Sequence, residues 1–342
     1  MPQRLVFFYR HPNPIYFSIE KLFGEIGGWI SQNHGSRFQV EKREMPEPSK
    51  LKTVLKNIGY TKKQQGAINH ITGDVHYALL GCSRKHINVL TIHDCVPLKD
   101  GNKSKARYWF IKKLWYDWPV RKADMVTVIS DNTKKELIGF TQCPPEKIRV
   151  IGNFVDPVFQ YAPAVFNAAC PRILFIGTTP NKNLKRLMEA LQGLNVILDI
   201  VGLLSAEQIE QLKKAKIQYE QSSGLSQDAL VAKYQQCDIL AFPSTYEGFG
   251  LPIVEAQATG RPLLSSNLSP MREVAGEGAC LIDPYDSGSI RSGLIKIIKD
   301  PLYRESIIKS GLENAKKFTL ESVAEQYVQL YKELLQTKPQ QN

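Results

Sequence analysis

The residues best suited to chemistry are two carboxylates, Glu247 and Glu255, with seven residues between them and Gly248-Phe249-Gly250-Leu251-Pro252 directly after the first. Two glycines let a bulky ligand approach the backbone closely. Pro252 suits the first turn of a helix, where its missing N–H costs nothing, and Gly260 suits the residue just past the helix end. A helix beginning near Leu251 leaves backbone N–H groups unpaired at its start. With the positive end of the helix dipole, these donors favour an anion such as phosphate. A carboxylate beside a bound phosphate repels it unless it turns aside and accepts hydrogen bonds from neutral hydroxyls. Sugar hydroxyls are such donors, so the pair fits a ligand with sugars on both sides of a diphosphate. The plainer alternative is an acidic loop followed by an acid that only stabilises the helix start.

A departing diphosphate needs its growing negative charge neutralised. One solution is a metal held by Asp-x-Asp, a tripeptide that occurs nowhere in the chain. The other is a fixed cation with helix-end donors. Gly177-Thr178-Thr179-Pro180-Asn181-Lys182-Asn183 reads as a strand-to-helix turn carrying such a cation, Lys182. No metal and no separate cofactor are therefore expected. A second group of polar residues, His70, Asp74, His76, His93 and Asp94, falls at the ends of two apolar runs. In open parallel sheets ligands sit outside the carboxyl ends of the strands. For any one of these histidines, an ordinary hydrogen-bonded loop residue is the competing reading.

These groups must be positioned by alternating strands and helices. Leu5–Tyr9 reads as a first buried strand, and 37–41, 67–72, Ile87–Ile92, 125–129 and 148–151 read as further strands in the first half. A helix is expected from about Phe17 to Trp29. Arg172–Ile176, 196–201, 238–240, 262–264 and Cys280–Ile282 repeat the pattern in the second half, with a helix over Leu184–Leu191. Ser205 and Gln208 are placed as a capping box, and 157–171 reads as a linker. Such alternation implies two parallel sheets covered by helices. Apolar residues at 320, 323, 324, 327, 330, 331 and 334 give a final helix one broad buried face, with a disordered tail beyond about Gln336.

The fragment from Glu247 to Glu255 resembles the signature of the retaining family 4 glycosyltransferases. So do Ala256-Gln257-Ala258-Thr259-Gly260-Arg261-Pro262, Met271-Arg272-Glu273-Val274-Ala275-Gly276, Thr91-Ile92-His93-Asp94 and Gly152-Asn153-Phe154-Val155-Asp156. The resemblance implies a GT-B fold: an acceptor-binding Rossmann-like domain over 1–160, a nucleotide-sugar-binding Rossmann-like domain over 165–318, parallel sheets facing across a cleft, and a helix over 319–342 crossing back to the first domain. It also implies transfer of a hexose from a UDP- or GDP-linked sugar with retention of configuration. Glu247 would hold donor hexose hydroxyls, and Gly248, Phe249, Gly250 and Leu251 would meet sugar and phosphate through their N–H groups. Glu255 would bind ribose, while Gly177, Thr178 and Lys182 would meet the diphosphate and Leu225, within Ser223–Ser226, the base. His93 would lie near the donor sugar with Asp94 orienting its loop. The phosphate-binding turn of this family often carries an arginine where Asn181 stands here.

Charge narrows the partners. Residues 1–160 hold 25 Lys+Arg and 14 Asp+Glu, an excess of +11, whereas residues 161–342 hold 19 of each. An acidic partner for the first half follows: anionic lipid, a phosphate-bearing acceptor or nucleic acid. Between Lys99 and Lys122, basic residues interleave with Tyr108, Trp109, Phe110, Trp115, Tyr116 and Trp118. Such a segment either lies on an anionic membrane or packs its aromatic side inward. No nucleic-acid-binding motif is present. Six scattered cysteines without Cys-x-x-Cys form neither a disulfide framework nor a zinc site. No basic segment precedes a long apolar run, and no apolar stretch approaches eighteen residues. A cytoplasmic protein is expected, with peripheral attachment at the inner membrane face left open. The acceptor expected is a sugar or lipid-linked glycan of surface polysaccharide. The rivals are an epimerase or phosphorylase on the same fold, and a nucleic-acid or membrane-binding protein without catalysis.

Overall fold

The computed structural model describes residues 1–12, 18–99 and 104–338. It comprises two compact units, residues 1–154 with 320–342, and residues 155–319.

The first unit is built on six parallel strands: β1 (Gln3–Tyr9), β2 (Phe38–Glu44), β3 (Ile68–Ile71), β4 (Ile87–Ile92), β5 (Met125–Val128) and β6 (Ile148–Val150). Their order in the sheet is β2-β1-β3-β4-β5-β6. The period of two sends alternate β1 side chains to opposite faces. Leu5, Phe7 and Tyr9 pack with Phe23, Tyr327 and Tyr331, while Val6 and Phe8 pack with Leu90, Val126 and Leu137 on the other side. The Leu320–Thr337 helix buries Val323, Ala324, Tyr327, Val328, Leu330, Tyr331 and Leu334 in this unit. It is also tied down by Arg149–Glu333 at 2.7 Å. Helices on both faces explain why β3, β4 and β5 are buried along nearly their whole length, whereas the edge strand β2 is mostly polar and only partly buried.

The second unit repeats the plan with β7 (Arg172–Ile176), β8 (Ile197–Val201), β9 (Gln218–Ser222), β10 (Ile239–Phe242), β11 (Leu263–Ser266) and β12 (Cys280–Ile282), in the order β12-β11-β10-β7-β8-β9. All pairings are parallel, as in Ile173↔Ile239 between β7 and β10. Strand order reverses direction at β7/β10 in this unit and at β1/β3 in the first. Such switch points open a crevice at the carboxyl edge of the sheet.

Several elements depart from the sequence expectations. The Gln218–Ser222 strand was not legible, because it is a polar edge strand with only Tyr219 and Ser222 partly buried. The Ser287–Lys299 and Pro301–Ala315 helices, capped by Asp286 and Asp300, also went unread. The first helix runs on from Trp29 to His34, its expected start at Phe17 lying outside the described residues. The units part between Phe154 and Val155 rather than inside 157–171. That segment has no regular element, yet it is tied to the second unit: Arg261 Nη2 donates to Ala162 O at 2.6 Å, and Arg304 stacks on Phe166 at 3.9 Å. The last helix continues to Thr337, and residues 339–342 of the expected disordered tail lie outside the described residues.

The basic aromatic segment packs four of its six aromatics inward. Leu114 and Tyr116 are buried, and Tyr108, Phe110 and Trp115 pack against the core, while Trp109 and Trp118 are 57% and 46% exposed. A π-helical turn over Lys112–Asp117 interrupts it, with Lys112 and Lys113 both 2.8 Å from the buried Asp117. The core reading thus holds for Tyr108, Phe110, Trp115 and Tyr116. Among the described residues no helix is long and apolar enough to cross a membrane. All cysteines are unpaired, and five of the six are buried.

Candidate active site

The carboxyl ends of β7 and β10 carry the two loops singled out in the sequence. β7 is followed by Gly177, whose φ of +89° belongs to the left-handed region. A Cβ there would come within 3.0 Å of Lys182 Cε, so glycine lets the lysine fold back over the strand end. After β10, Pro243 to Gly250 leads into the Leu251–Ala258 helix. Gly250 stands at its N-cap with φ +102°, and no side chain caps the helix. Pro252 has no N–H and Ile253 N donates back to Gly250 O at 3.0 Å, so of the first three helix residues Leu251 has the N–H to offer a ligand.

Two asparagines lock these loops together. Asn181 Nδ2 donates to Tyr246 O at 3.0 Å, and Asn181 O accepts from Thr245 N at 2.8 Å. Asn183, in the left-handed region, donates to Pro243 O and Pro284 O at 2.9 and 2.7 Å. Asn181 thus occupies the expected arginine position as a loop clamp rather than a cation. No local pattern announces such a clamp, since its partners lie about 65 residues away.

Lys182 and Glu247 meet directly: Nζ donates to Oε1 at 2.7 Å, with side chains 19% and 14% exposed. The ammonium also lies 4.8 Å from the centroid of the Phe242 ring. Glu255, in the second turn of the Leu251–Ala258 helix, accepts from Tyr234 Oη at 2.5 Å. Burial, reinforced by Asp156, pushes its carboxyl up to about 7, against the lowering effects of the Tyr234 hydroxyl and Lys182. The lysine is thus close enough to act on both carboxylates. Phe249 is buried edge-on to Phe318 at 5.7 Å, so only its backbone faces a ligand. Thr178 spends its hydroxyl on Leu203 O at 2.6 Å. Gly248 and Leu251 are partly exposed at the helix start, and Leu225 sits in the loop after β9.

The remaining predicted residues belong to the first unit. His93 and Asp94 follow β4 and, with Arg10, Asp74, His76 and Trp115, line a cavity of about 740 Å3 at the β1/β3 switch point. His93 Nε2 is 2.8 Å from Thr72 O, and His76 Nδ1 is 2.9 Å from Trp115 O. A carbonyl only accepts, so each ring carries its proton on that nitrogen. Burial pushes His76 down to about 4 and lowers His93 as well, although the Thr72 carbonyl, Asp74 and Asp94 oppose this at His93. Both rings are therefore neutral near pH 7, with an acceptor lone pair remaining on the other nitrogen. Asp94 accepts from Val96 N at 2.9 Å, and burial raises its carboxyl. Arg10 is engaged by Glu20 and Asp74, each at 2.8 Å. His70, by contrast, is not part of this cavity. It is fully buried between Tyr331 Oη at 2.6 Å and Thr91 Oγ1 at 2.7 Å.

Comparison with known proteins places the chain in a family. Residues 65–159 match the model of Glycosyltransferase Family 4, and residues 165–314 match that of Glycosyl transferases group 1. The chain belongs to these family 4, group 1 glycosyltransferases. It is 25% identical over 281 residues to the serotype-specific mannosyltransferase WbdA of Escherichia coli, covering 73% of this chain and 34% of that protein. It is 27% identical over 253 residues to the O-antigen chain mannosyltransferase B of Escherichia coli, covering 67% and 65%. The chain thus spans about a third of the first relative's length and just under two thirds of the second's. Its fold is similar to that of Anabaena HepE solved in complex with UDP and glucose, with a TM-score of 0.71, 17% identity, and coverage of 97% and 100%. The two six-stranded parallel sheets with helices around them form a GT-B fold.

Proposed function

We propose that the protein transfers a hexose, mannose in the first instance, from a nucleoside diphosphate sugar to a glycan or lipid-linked acceptor, with retention of anomeric configuration. The observation that carries this reading is the assembly of Lys182, Glu247 and Glu255 around an uncapped helix start at the β7/β10 switch point. The mannosyltransferase relatives support mannose as the first sugar to test.

In this account the diphosphate lies against the backbone N–H groups of Gly248 to Leu251, with Lys182 on its departing oxygens. Glu255 accepts ribose hydroxyls and Glu247 accepts hydroxyls of the hexose. Fixed donors aimed at developing charge lower the barrier without reorganising during the reaction. No side chain is assigned as a nucleophile. The acceptor attacks from the face that the diphosphate leaves, and the departing phosphate oxygen takes its proton, so positioning supplies most of the acceleration. Lys182 and the helix start provide the counter-charge, which makes a metal unnecessary in this scheme. The first-unit cavity presents carboxylates, histidine lone pairs and the Trp115 and Tyr116 rings, a lining that suits the hydroxyls and apolar face of a sugar. The exposed Trp109 and Trp118, in the basic half of the chain, would keep the protein at an anionic, cytoplasm-facing membrane where such acceptors are built.

The test is a transfer assay with GDP-mannose, UDP-glucose and UDP-N-acetylglucosamine against mannose-terminated acceptors, with the product's anomeric proton read by NMR. An α-linked product from an α-linked donor supports the reading. A free sugar or an epimerised donor as sole product, or an inverted linkage, would overturn it.

A further inference from the structure

One oxygen of Glu255, Oε2, is already taken by a hydroxyl, and the residue that supplies it lies on another helix. Tyr234 belongs to the Gln227–Gln236 helix, is fully buried, and packs edge-on to Phe159 with centroids 5.2 Å apart. Its hydroxyl points at Glu255 Oε2 across 2.5 Å. A phenol buried this deeply needs a partner for its proton, and here that partner is the carboxylate. The bond fixes the Glu255 side chain in one rotamer and leaves Oε1 as the acceptor for two adjacent hydroxyls. Without it, a carboxyl desolvated by its surroundings takes up a proton more readily. A protonated carboxyl offers a donor where the sugar also offers donors.

We infer that Tyr234 is a positioning residue for nucleotide recognition, holding Glu255 oriented and ionised so that it accepts both hydroxyls of a ribose. The inference rests on the proposed role of Glu255 and adds a residue that touches no substrate. The charged and titratable groups acting on this carboxylate are Tyr234 from its helix, Asp156 from the segment after β6, and Lys182 from the turn after β7. Asp156 disfavours the ionised form, whereas Tyr234 and Lys182 favour it. Glu255 titrates near 7, so the nucleotide affinity of the wild type falls as pH drops below about 7. Removing the hydroxyl moves that fall to higher pH.

The experiment is calorimetric titration of GDP, UDP and their 2′,3′-dideoxy forms into wild type, Tyr234→Phe, Glu255→Ala and the double variant, from pH 6 to 9. Phenylalanine keeps the ring packing, so the fold is retained, and thermal unfolding checks it. A hydrogen bond to a charged group is worth roughly a tenfold change in affinity. The expected results are about tenfold weaker ribonucleotide binding at pH 7 for Tyr234→Phe, an acid limb displaced upward, little change for the dideoxy forms, and no further loss in the Glu255→Ala background. Equal binding by wild type and Tyr234→Phe, or an equal loss with and without Glu255, would overturn the positioning role while leaving the nucleotide site standing. Wild type that binds no ribonucleotide better than its dideoxy form would overturn both readings.

Discussion

The pairing of Lys182 with Glu247 leads to an unusual expectation for Glu247→Ala. In the protein the ammonium donates to the carboxylate at 2.7 Å, and both side chains are more than four-fifths buried. A diphosphate that recruits Lys182 must break or share this bond and must also approach the Glu247 charge. Hydrogen bonds to charged groups are worth about 1.5–3 kcal/mol net, and partial exposure reduces this to about 1–2 kcal/mol. Removing the carboxylate releases that amount, so the bare nucleoside diphosphate should bind roughly five- to thirtyfold tighter. Turnover moves the other way. The hexose loses its charged acceptor, and about 2–3 kcal/mol of transition-state stabilisation corresponds to a fall in kcat of roughly thirty- to 150-fold. Glu247→Gln should behave alike in sign, since it keeps the shape and removes the charge. Calorimetry with GDP and UDP, beside steady-state transfer, measures both effects. If nucleoside diphosphate binding weakened tenfold or more, or kcat were unchanged, Glu247 would be a structural partner of Lys182 and its sugar role would fail.

Other substitutions probe the frame around this pair. Asn181→Arg, which installs the residue often found at this position in the family, should weaken nucleotide binding because it removes the Nδ2 bond to Tyr246 O; tighter binding by calorimetry would contradict the clamp. Gly177→Ala combines a φ of +89° with a new Cβ about 3.0 Å from Lys182 Cε. It should cost about 1–2 kcal/mol of stability by chemical denaturation and reduce nucleoside diphosphate affinity, whereas unchanged values would mean that the turn has room to spare. His70 is held at about 3 by burial, below the 6.5 of an unfolded histidine. Its contribution to stability is thus complete above pH 6.5 and is lost as pH falls from 6.5 toward 3. Between pH 7 and 5 that loss is about 2 kcal/mol, and His70→Gln should flatten the denaturation profile by that amount. An equally steep profile in the variant would locate the acid sensitivity elsewhere.

Much of this was legible because buried parallel strands are short apolar runs and their carboxyl ends are polar. Arg172–Ile176 and Cys280–Ile282 fall where the sequence puts them, as does the helix start at Leu251, whose glycine and proline leave little choice. Gln218–Ser222 was invisible because its residues are polar and mostly exposed, leaving no apolar run to read. Within the site, Lys182 and Glu247 were recognisable singly, but their pairing was not, and neither was the Tyr234 bond to Glu255. Each joins residues 65 or 21 positions apart, and only the sheet topology brings them together. His70 misled for the opposite reason. It lies near the end of an apolar run, yet β3 carries it inside the sheet, where Tyr331 satisfies it from the far end of the chain.

The central claim is that the second unit holds a nucleoside diphosphate whose ribose is read by Glu255. The most direct measurement is thermal unfolding of wild type and Glu255→Ala with UDP, GDP, ADP and TDP. A ligand that binds only the folded state adds RT ln(1 + [L]/Kd), about 2.7 kcal/mol at a hundredfold excess over Kd. The account predicts that at least one ribonucleotide raises the melting temperature of wild type and leaves that of Glu255→Ala nearly unmoved. Equal shifts in both proteins, or no shift with any nucleotide, would contradict it.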